Sequence, residues 1–246
     1  MYVYQIIIEY EGTNYVGWQI QKNGLSIQEV IQKNLSKIIK QKIDIYGSGR
    51  TDSGVHALGQ SAHFVTKKKI SNQFLFLNTI NFFLKKKNIS ILKIKRKKQN
   101  FHARYSAKKR FYKYLIVNRI APLSLEKNRA WHIKSILNID LLKKSAKLLI
   151  GKKDFSTYRS SSCGASSPIR TLEKAIVSKK GSNITIIFKS QSFLQQQVRS
   201  MVGCLKLVAE GKWTLKKFKF VMDSKKRINC APPAPASGLY LFKVSY

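Results

Sequence analysis

Acidic residues are scarce in this chain of 246 residues, which contains 11 Asp and Glu against 47 Lys and Arg. The formal net charge at pH 7 is therefore +36. A positive charge of this size favours a polyanionic partner, above all a nucleic acid. A lysine-rich composition can also leave many charges on a solvated surface, so charge alone predicts a class of partner and no chemistry.

Cysteine is also scarce, and the three cysteines, Cys163, Cys204 and Cys230, lie far apart in the sequence. Their odd number and wide spacing argue against a disulfide framework and favour a reducing compartment, so we expect a cytoplasmic protein. No CxxC pair and no HxxxH motif occurs. We therefore expect no metal site.

Long apolar runs are absent as well. No segment approaches the ~18 apolar residues that a membrane-spanning helix needs, and residues 1–18 contain no basic leader followed by an apolar stretch. We expect neither a membrane span nor a signal peptide. Disorder is excluded, because 43% of the residues are hydrophobic and 11% are aromatic, which is enough to fill a core.

The glycine-rich motifs of nucleotide-binding and hydrolytic enzymes are missing. The segment from Gly47 begins like GxGxxG, but Asp52 stands where the third glycine is required. Neither GxxxxGK[ST] nor GxSxG occurs anywhere in the chain. We therefore expect no nucleotide or dinucleotide cofactor.

Periodic patterns predict an α+β chain of two halves, with domains over 1–105 and 106–246. In the first half we expect strands over 1–10, 43–46, 57–66 and 89–94, and helices after Ser26 and over 73–84. In the second half we expect strands over 110–117, 171–178, 183–189 and 239–245, a helix capped by Asp140, and helices over 195–210 and 215–222. The capping box of Ser26 and Glu29 supports the first of these helices.

Asp52 is the carboxylate in the most distinctive setting. It lies in the turn 47–56, GSGRTDSGVH, between two predicted strands. The three glycines of this turn would let a large ligand approach the backbone, and Arg50 would favour the ionised carboxylate that a nucleophile requires. The alternative is that Asp52 only shapes the turn, because Asp-Ser-Gly is common turn chemistry.

The segment 49–57, GRTDSGVHA, resembles the signature of the TruA-type tRNA pseudouridine synthases. Further segments resemble other blocks of that family, in the family's order: FHARYSA at 101–107, RFYKY at 110–114, GKKDFS at 151–156, VRSMVG at 198–203 and APASGLYL at 234–241. The resemblance therefore spans nearly the whole chain. Residues 195–197, all glutamine, depart from the histidine and methionine that the family commonly carries there.

The resemblance implies isomerisation of uridine to pseudouridine in the anticodon arm of tRNA, at positions 38, 39 and 40. It makes Asp52 the catalytic nucleophile and requires no cofactor and no metal. The implied fold has two similar halves with mostly antiparallel sheets, joined across a central catalytic cleft, and helices on the outer faces. It also implies a homodimer that binds tRNA.

The resemblance gives roles to four further residues. Arg50 would fill the space of the flipped base and pair with Asp52, although an ordinary turn cation would contact phosphate. Tyr112 would stack on the uracil, although strand tyrosines usually pack in cores. Arg199 would pair with Asp52, although a cation on a helix surface could contact RNA phosphate. Leu239 would form a hydrophobic wall near the uracil, or belong to a plain core strand.

Two segments match regions that contact tRNA in the family, and the second lacks the basic residue often found there. Their residues are Phe101, His102, Ala103, Arg104 and Tyr105, followed by Ser162, Cys163, Gly164, Ala165 and Ser166. Two other functions would explain part of the sequence. A non-catalytic basic protein that binds tRNA or rRNA would explain the charge, and an Asp-dependent glycosylase would explain Asp52 but release free base.

Overall fold

A computed structural model describes all 246 residues and divides into two compact units. The first unit contains Met1–Lys108 and Tyr240–Tyr246, and the second contains Lys109–Leu239. This division differs from the expected domains 1–105 and 106–246 mainly at the C-terminal end of the chain. The difference arises because the last strand pairs with a strand of the first unit.

Ten strands and five α-helices follow one another along the chain, together with four short 3-10 helices. Their bounds are β1 (Tyr2–Tyr10), α1 (Ile27–Ile39), β2 (Ile45–Gly47), β3 (His56–Thr66), α2 (Gln73–Leu84), β4 (Ile89–Lys97), β5 (Lys109–Asn118), β6 (Trp131–Ile133), α3 (Ile139–Leu148), β7 (Gly151–Asp154), β8 (Ile169–Lys180), β9 (Asn183–Ser190), α4 (Gln197–Ala209), α5 (Leu215–Asp223) and β10 (Leu239–Ser245).

The sheet of the first unit has the strand order β4-β1-β3-β10, with β2 on β3. All of these pairs are antiparallel except β3 with β10, which is parallel. In the register, Ile6 of β1 lies opposite Ala62 and Ile94, and all three side chains are buried. Helix α1 packs on α2 and β2, while α2 packs on β4. The apolar face of α1 and this side of the sheet thus form one core.

The predicted N-cap of α1 is confirmed. Ser26 has an extended backbone, and its Oγ accepts a hydrogen bond from the Glu29 N–H at 3.2 Å. Asp140, by contrast, does not cap α3, and that prediction was wrong. Asn138 is the cap, because its Oδ1 accepts from the N–H groups of both Asp140 and Leu141. Asp140 lies in the first turn of α3, where its negative charge interacts favourably with the helix dipole.

The sheet of the second unit has the order β5-β9-β8-β7, all antiparallel, with β6 parallel to β5. Helix α3 packs on β8 and α4, and α5 packs on α3 and α4. Buried residues of α4, among them Met201, Val202 and Leu205, supply its part of the core. The α+β class with mostly antiparallel sheets is therefore confirmed, whereas the expected cleft stays a prediction.

Strands β6 and β7 were absent from the sequence-based expectation. They contain three and four residues, which is too short for an alternating pattern to be recognised. None of the helices combines the length and the apolar character that a membrane-spanning helix requires.

Candidate active site

Asp52 lies half-buried in the loop that joins β2 to β3. The residue before it is anchored at two atoms. The Thr51 hydroxyl lies 2.8 Å from the Tyr10 hydroxyl, and the Thr51 carbonyl accepts a hydrogen bond from the Trp18 N–H at 3.1 Å. Thr51 is itself buried, so water competes little for these hydrogen bonds.

The residues after Asp52 are anchored as well. The Ser53 hydroxyl donates to the Tyr15 carbonyl at 3.1 Å, and the Gly54 N–H donates to the same oxygen at 3.4 Å. The Asp52 carbonyl accepts from the Val55 N–H at 3.2 Å, which closes a tight turn. The backbone of Asp52 is therefore fixed on both sides, as a carboxylate aimed at a substrate requires.

The first part of the loop is fixed by a buried glutamine of β3. The Ser48 hydroxyl donates to Gln60 Oε1 at 2.8 Å, and Gln60 Nε2 donates to the Gly49 carbonyl at 2.7 Å. Both Ser48 and Gln60 are buried. The oxygen and the nitrogen of the Gln60 amide thus both bond to the loop. A shift of the loop would leave this buried amide without its partners, which holds the loop in place.

The expectation that the glycines of this turn admit a ligand is wrong for Gly47, and it stays a prediction for Gly49 and Gly54. A Cβ built on Gly47 would lie 2.6 Å from atoms of the Trp18 indole. The space beside Gly47 is therefore occupied by protein. This glycine serves the packing of Trp18 beneath the loop.

His56 immediately follows the loop and was overlooked as a site residue. It is buried, and its Nδ1 accepts a hydrogen bond from the Gly12 N–H at 3.0 Å. Its ring stacks on Tyr240 of β10 at 4.8 Å between centroids. Because Nδ1 is an acceptor, the neutral ring carries its proton on Nε2. In the sequence, the position of His56 in the segment GVHA, next to the Asp52 turn, could have marked it as a site residue.

Arg50 is exposed two residues before Asp52, and its Nε donates to Gln19 Oε1 at 3.1 Å. An exposed guanidinium at the rim of this loop is free to reorient when an anionic ligand arrives. Its expected pairing with Asp52 and its role in base flipping stay predictions.

Tyr112 lies on β5 in the second unit and is 9% exposed. Its ring meets Phe193 edge-on, with centroids 5.0 Å apart and planes at 83°. In the register it lies opposite Phe188 of β9. This aromatic packing holds the ring in place, and its expected contact with uracil stays a prediction.

Arg199 lies near the start of α4 and is bound twice to one residue. Its Nε donates to the Ala234 carbonyl at 2.7 Å, and the Ala234 N–H donates to the Arg199 carbonyl at 2.9 Å. Burial raises the pKa of Tyr114, and the nearby Arg199 opposes that rise. Arg199 is thus a fixed cation in a partly buried place, and its expected pairing with Asp52 stays a prediction.

The glutamine run before Arg199 has a local structural use. Gln196 adopts a left-handed backbone at φ +60°, where α4 begins. Gln197 is buried, and its Oε1 accepts from the Leu194 N–H at 2.8 Å. The run thus supports the start of α4. Leu239, at the start of β10, is buried, which fits a core strand, and its expected wall against uracil stays a prediction.

The segment 101–105 is held to the sheet through Ala103, which is buried. The Ala103 N–H donates to His63 Nδ1 at 3.2 Å, and the Ala103 carbonyl accepts from the Tyr246 hydroxyl at 2.9 Å. Arg104 and Tyr105, which directly follow this anchor, are exposed. The segment therefore presents a cation and an aromatic ring to solvent, as an RNA contact would require.

The turn 162–166 is largely exposed. The Cys163 N–H donates to the Ser160 carbonyl at 3.1 Å, and the Ser162 N–H donates to Ser160 Oγ at 3.4 Å. Gly164 has open space around it. The expected contact of the turn 162–166 with RNA stays a prediction. No group of three or more His, Cys, Asp or Glu side chains is placed to hold a metal ion.

Comparison with known proteins gives one consistent result. A family model described as tRNA pseudouridine synthase matches residues 6–106 and 145–246. The chain is 60% identical over 246 residues, the full length of both chains, to "tRNA pseudouridine synthase A" of Pelagibacter ubique. The proteins of the same name from Neorickettsia sennetsu and Parvibaculum lavamentivorans are 45% and 41% identical, each over 243 residues and 98% or more of both chains.

Among solved structures, a chain of a Cbf5-Nop10-Gar1 complex covers 83% of this chain, which in turn covers 53% of it. The TM-score is 0.34 and the sequence identity 12%. This likeness is too remote to assign a site.

Proposed function

The chain belongs to the tRNA pseudouridine synthase family, and we propose that it isomerises uridines 38, 39 and 40 of the tRNA anticodon arm with Asp52 as the nucleophile. It is an isomerase that acts on tRNA, and this activity is supported over the non-catalytic binding protein considered above. The observation that carries the proposal is the Asp52 loop, which is hydrogen-bonded on both sides of Asp52 by Tyr10, Tyr15 and Trp18.

The reaction conserves every atom of the nucleotide. The N1–C1′ bond of uridine breaks, the uracil rotates, and C5 bonds to C1′ while the proton on C5 leaves and N1 gains one. An ionised carboxylate can assist by attacking the sugar or the base, or by promoting elimination. Because the detached uracil must stay in place, the half-buried position of Asp52 suits a site that limits water.

The supporting residues have distinct proposed tasks. The target nucleotide must leave its stack, and the exposed Arg50 would occupy the vacated space. Tyr112 would stack on the uracil, and Leu239 would cover its edge. Arg199 would hold the carboxylate of Asp52 in its ionised form, since an adjacent cation lowers the pKa of a carboxyl group.

The proposed tRNA contacts lie on segments 101–105 and 162–166, with Lys97, Lys98 and Lys108 near the first segment supplying phosphate contacts. We also propose a homodimer, following the family resemblance, and a cytoplasmic location stays a prediction. Light scattering of the protein with and without tRNA tests the dimer. A monomer in both conditions would contradict it.

The product assay uses unmodified tRNA without added metal or nucleotide, and maps pseudouridine along the product. Pseudouridine at positions 38 to 40, and its loss when those uridines are replaced by cytidines, supports the proposal. Pseudouridine elsewhere in the tRNA would contradict the anticodon arm as the target. Free uracil would indicate a glycosylase, and binding without product would indicate a binding protein.

A further inference from the structure

Four aromatic rings of the first unit form one cluster on β2, β3 and the segment after β4. Tyr46 lies 5.2 Å from His63 between ring centroids, and His63 lies 4.6 Å from His102. His102 lies 4.4 Å from Tyr105 and 5.9 Å from Tyr46. We call these four residues, Tyr46, His63, His102 and Tyr105, the ring cluster. Its members come from three separate segments of the chain, so the fold assembles it.

The outer rings of the ring cluster face solvent. Tyr46 is 49% exposed and Tyr105 is 76% exposed, whereas His63 beneath them is 5% exposed. Both tyrosines rest on neighbouring rings, so each presents a surface that is already ordered. Ordered aromatic faces left open to water are typical of sites that stack a ligand ring.

Hydrogen bonds keep the imidazoles of the ring cluster in a single orientation. His63 Nδ1 accepts from the Ala103 N–H at 3.2 Å, and His102 Nδ1 accepts from the Arg104 N–H at 3.2 Å. Burial lowers the pKa of His63 to about 4, helped by His102, and burial followed by Arg104 lowers the pKa of His102. Both rings are therefore neutral at pH 7, and the cluster offers π-surfaces without charge.

Cations surround this neutral surface. The Arg104 guanidinium lies 5.5 Å from the Tyr105 ring, and Lys97 Nζ lies 4.6 Å from the Phe101 ring. A shallow pocket beside them is lined by Arg96, Lys97, Lys98, Asn100, Phe101 and Ser106. Aromatic faces next to a basic groove are the combination that binds single-stranded nucleic acid, with bases on the rings and phosphates on the cations.

We propose that the ring cluster is a stacking site for an unpaired nucleobase of the RNA substrate, distinct from the uridine at Asp52. The proposal rests on the proposed function and extends it, because it adds Tyr46 and His63 to the segment 101–105. Paired bases in a duplex have both faces covered, so the occupant is a nucleotide of a loop or a single strand. Phosphates beside that base would bind Arg104 and Lys97.

The experiment measures binding of tRNA and of a short single-stranded RNA that carries 2-aminopurine, a base whose fluorescence falls on stacking. Loss of one stacking ring weakens binding by about 5- to 150-fold. We expect this loss in Tyr46→Leu and in Tyr105→Leu, together with loss of the quenching. Tyr46→Phe keeps the ring and should bind within about two-fold of the unaltered protein.

The matched control is Phe74→Leu, which removes from α2 a ring that is as exposed as that of Tyr105. Its binding of both RNAs should equal that of the unaltered protein. Tyr105 is the more exposed of the two tyrosines, so Tyr105→Leu serves as the test even if Tyr46→Leu unfolds. Unchanged binding and quenching in Tyr105→Leu would overturn the proposal, and so would an equal loss in Phe74→Leu.

Turnover kinetics separate this site from the catalytic one. Tyr105→Leu should raise KM for tRNA and leave kcat unchanged, since the ring would contribute binding energy and take no part in the bond changes of the reacting uridine. Asp52→Asn should abolish kcat and keep tRNA binding. A fall in kcat without a change in KM for Tyr105→Leu would overturn the stacking site while leaving the nucleophile supported.

Discussion

Gly17 lies directly against the backbone of Thr51, the residue that precedes the proposed nucleophile. A Cβ built on Gly17 would lie 2.5 Å from the Thr51 carbonyl oxygen and 3.1 Å from the carbonyl carbon of Asp52. Gly17 also has φ +111°, which L side chains rarely adopt. The place of the carboxylate thus depends on a glycine more than 30 positions earlier in the chain.

Gly17→Ala should both destabilise the protein and slow catalysis. The new methyl group adds backbone strain and displaces the loop, so we expect the free energy of unfolding to fall by at least about 2 kcal/mol. A shift of about 1 Å at a reacting group can slow turnover on the order of 100-fold. Urea unfolding and pseudouridine formation by the folded fraction measure the two effects.

The stability control for this variant is Gly164→Ala, where nothing lies within 4 Å of the added Cβ. Its free energy of unfolding should stay within about 0.5 kcal/mol of the unaltered protein. If Gly17→Ala unfolds and turns over like the unaltered protein, Gly17 does not position the loop.

Thr51→Val should weaken the loop by removing the hydroxyl that bonds to Tyr10 at 2.8 Å. The two side chains have nearly the same volume, so the loss isolates a buried hydrogen bond of about 1–2 kcal/mol. Thr51→Ser keeps the hydroxyl and should retain more of the stability and of kcat. Equal urea midpoints for the Val and Ser variants would show that this bond does not hold the loop.

The stability of the protein should fall between pH 6.5 and pH 4 because of His63. Its pKa is lowered from 6.5 to about 4 in the folded protein by burial and by His102. The unfolded chain therefore binds the proton more tightly, and the contribution of His63 is complete above pH 6.5 and disappears as the pH falls towards 4. From pH 8 to pH 5 we expect a loss of about 2 kcal/mol.

His63→Gln replaces the imidazole with a neutral side chain whose oxygen can still accept from Ala103. The variant should show a smaller fall in thermal unfolding temperature from pH 8 to pH 5 than the unaltered protein. Parallel pH curves for the two proteins would contradict the assignment of this loss to His63. The pKa of His102 is also lowered, so His102 too makes the folded protein less stable as the pH falls.

Cys204 and Cys230 should form a disulfide when the protein is treated with diamide. Their Sγ atoms lie 3.5 Å apart, so a movement of about 1.5 Å reaches the length of the bond. The hydrogen bond from Cys204 lowers the pKa of Cys230, and Arg227 adds to this effect, which favours the attacking thiolate. Diamide takes up the two electrons and two protons that the thiols release.

Peptide mapping by mass spectrometry without reduction identifies the linked pair. The Cys204–Cys230 link should form in the unaltered protein and in Cys163→Ser, and disappear in Cys230→Ser. A link that involves Cys163, or none after full consumption of the oxidant, would contradict the observed proximity of these thiols.

Regular elements with a clear period were predictable from the sequence. Helix α2 and strand β10 have the predicted bounds, because Asn72 caps the start of α2 and a short turn that ends at Gly238 directly precedes β10. The cap of α1 followed from Ser26 and Glu29. At α3 the sequence predicted Asp140 as the cap, whereas the structure has Asn138 in that position.

The identity of the candidate nucleophile was also predictable, but the residues that hold its loop in place were not. Asp52 stood out in a chain with few carboxylates and within a block that resembles a known family. Tyr10, Tyr15 and Trp18 hold its loop through bonds that span 33 to 41 positions, and no local pattern reveals such contacts. The ring cluster was hidden for the same reason, since Tyr46 and His63 join a distant segment.

The proposed reaction depends most on the carboxylate of Asp52, and single-turnover formation of pseudouridine in tRNA by Asp52→Asn tests this dependence directly. The matched control is Asp44→Asn, which neutralises an exposed carboxylate just before β2. We predict that Asp52→Asn binds tRNA within about three-fold of the unaltered protein and forms product at least about 1,000-fold more slowly, while Asp44→Asn keeps the full rate. Product formed by Asp52→Asn at the rate of Asp44→Asn would show that Asp52 is not the nucleophile.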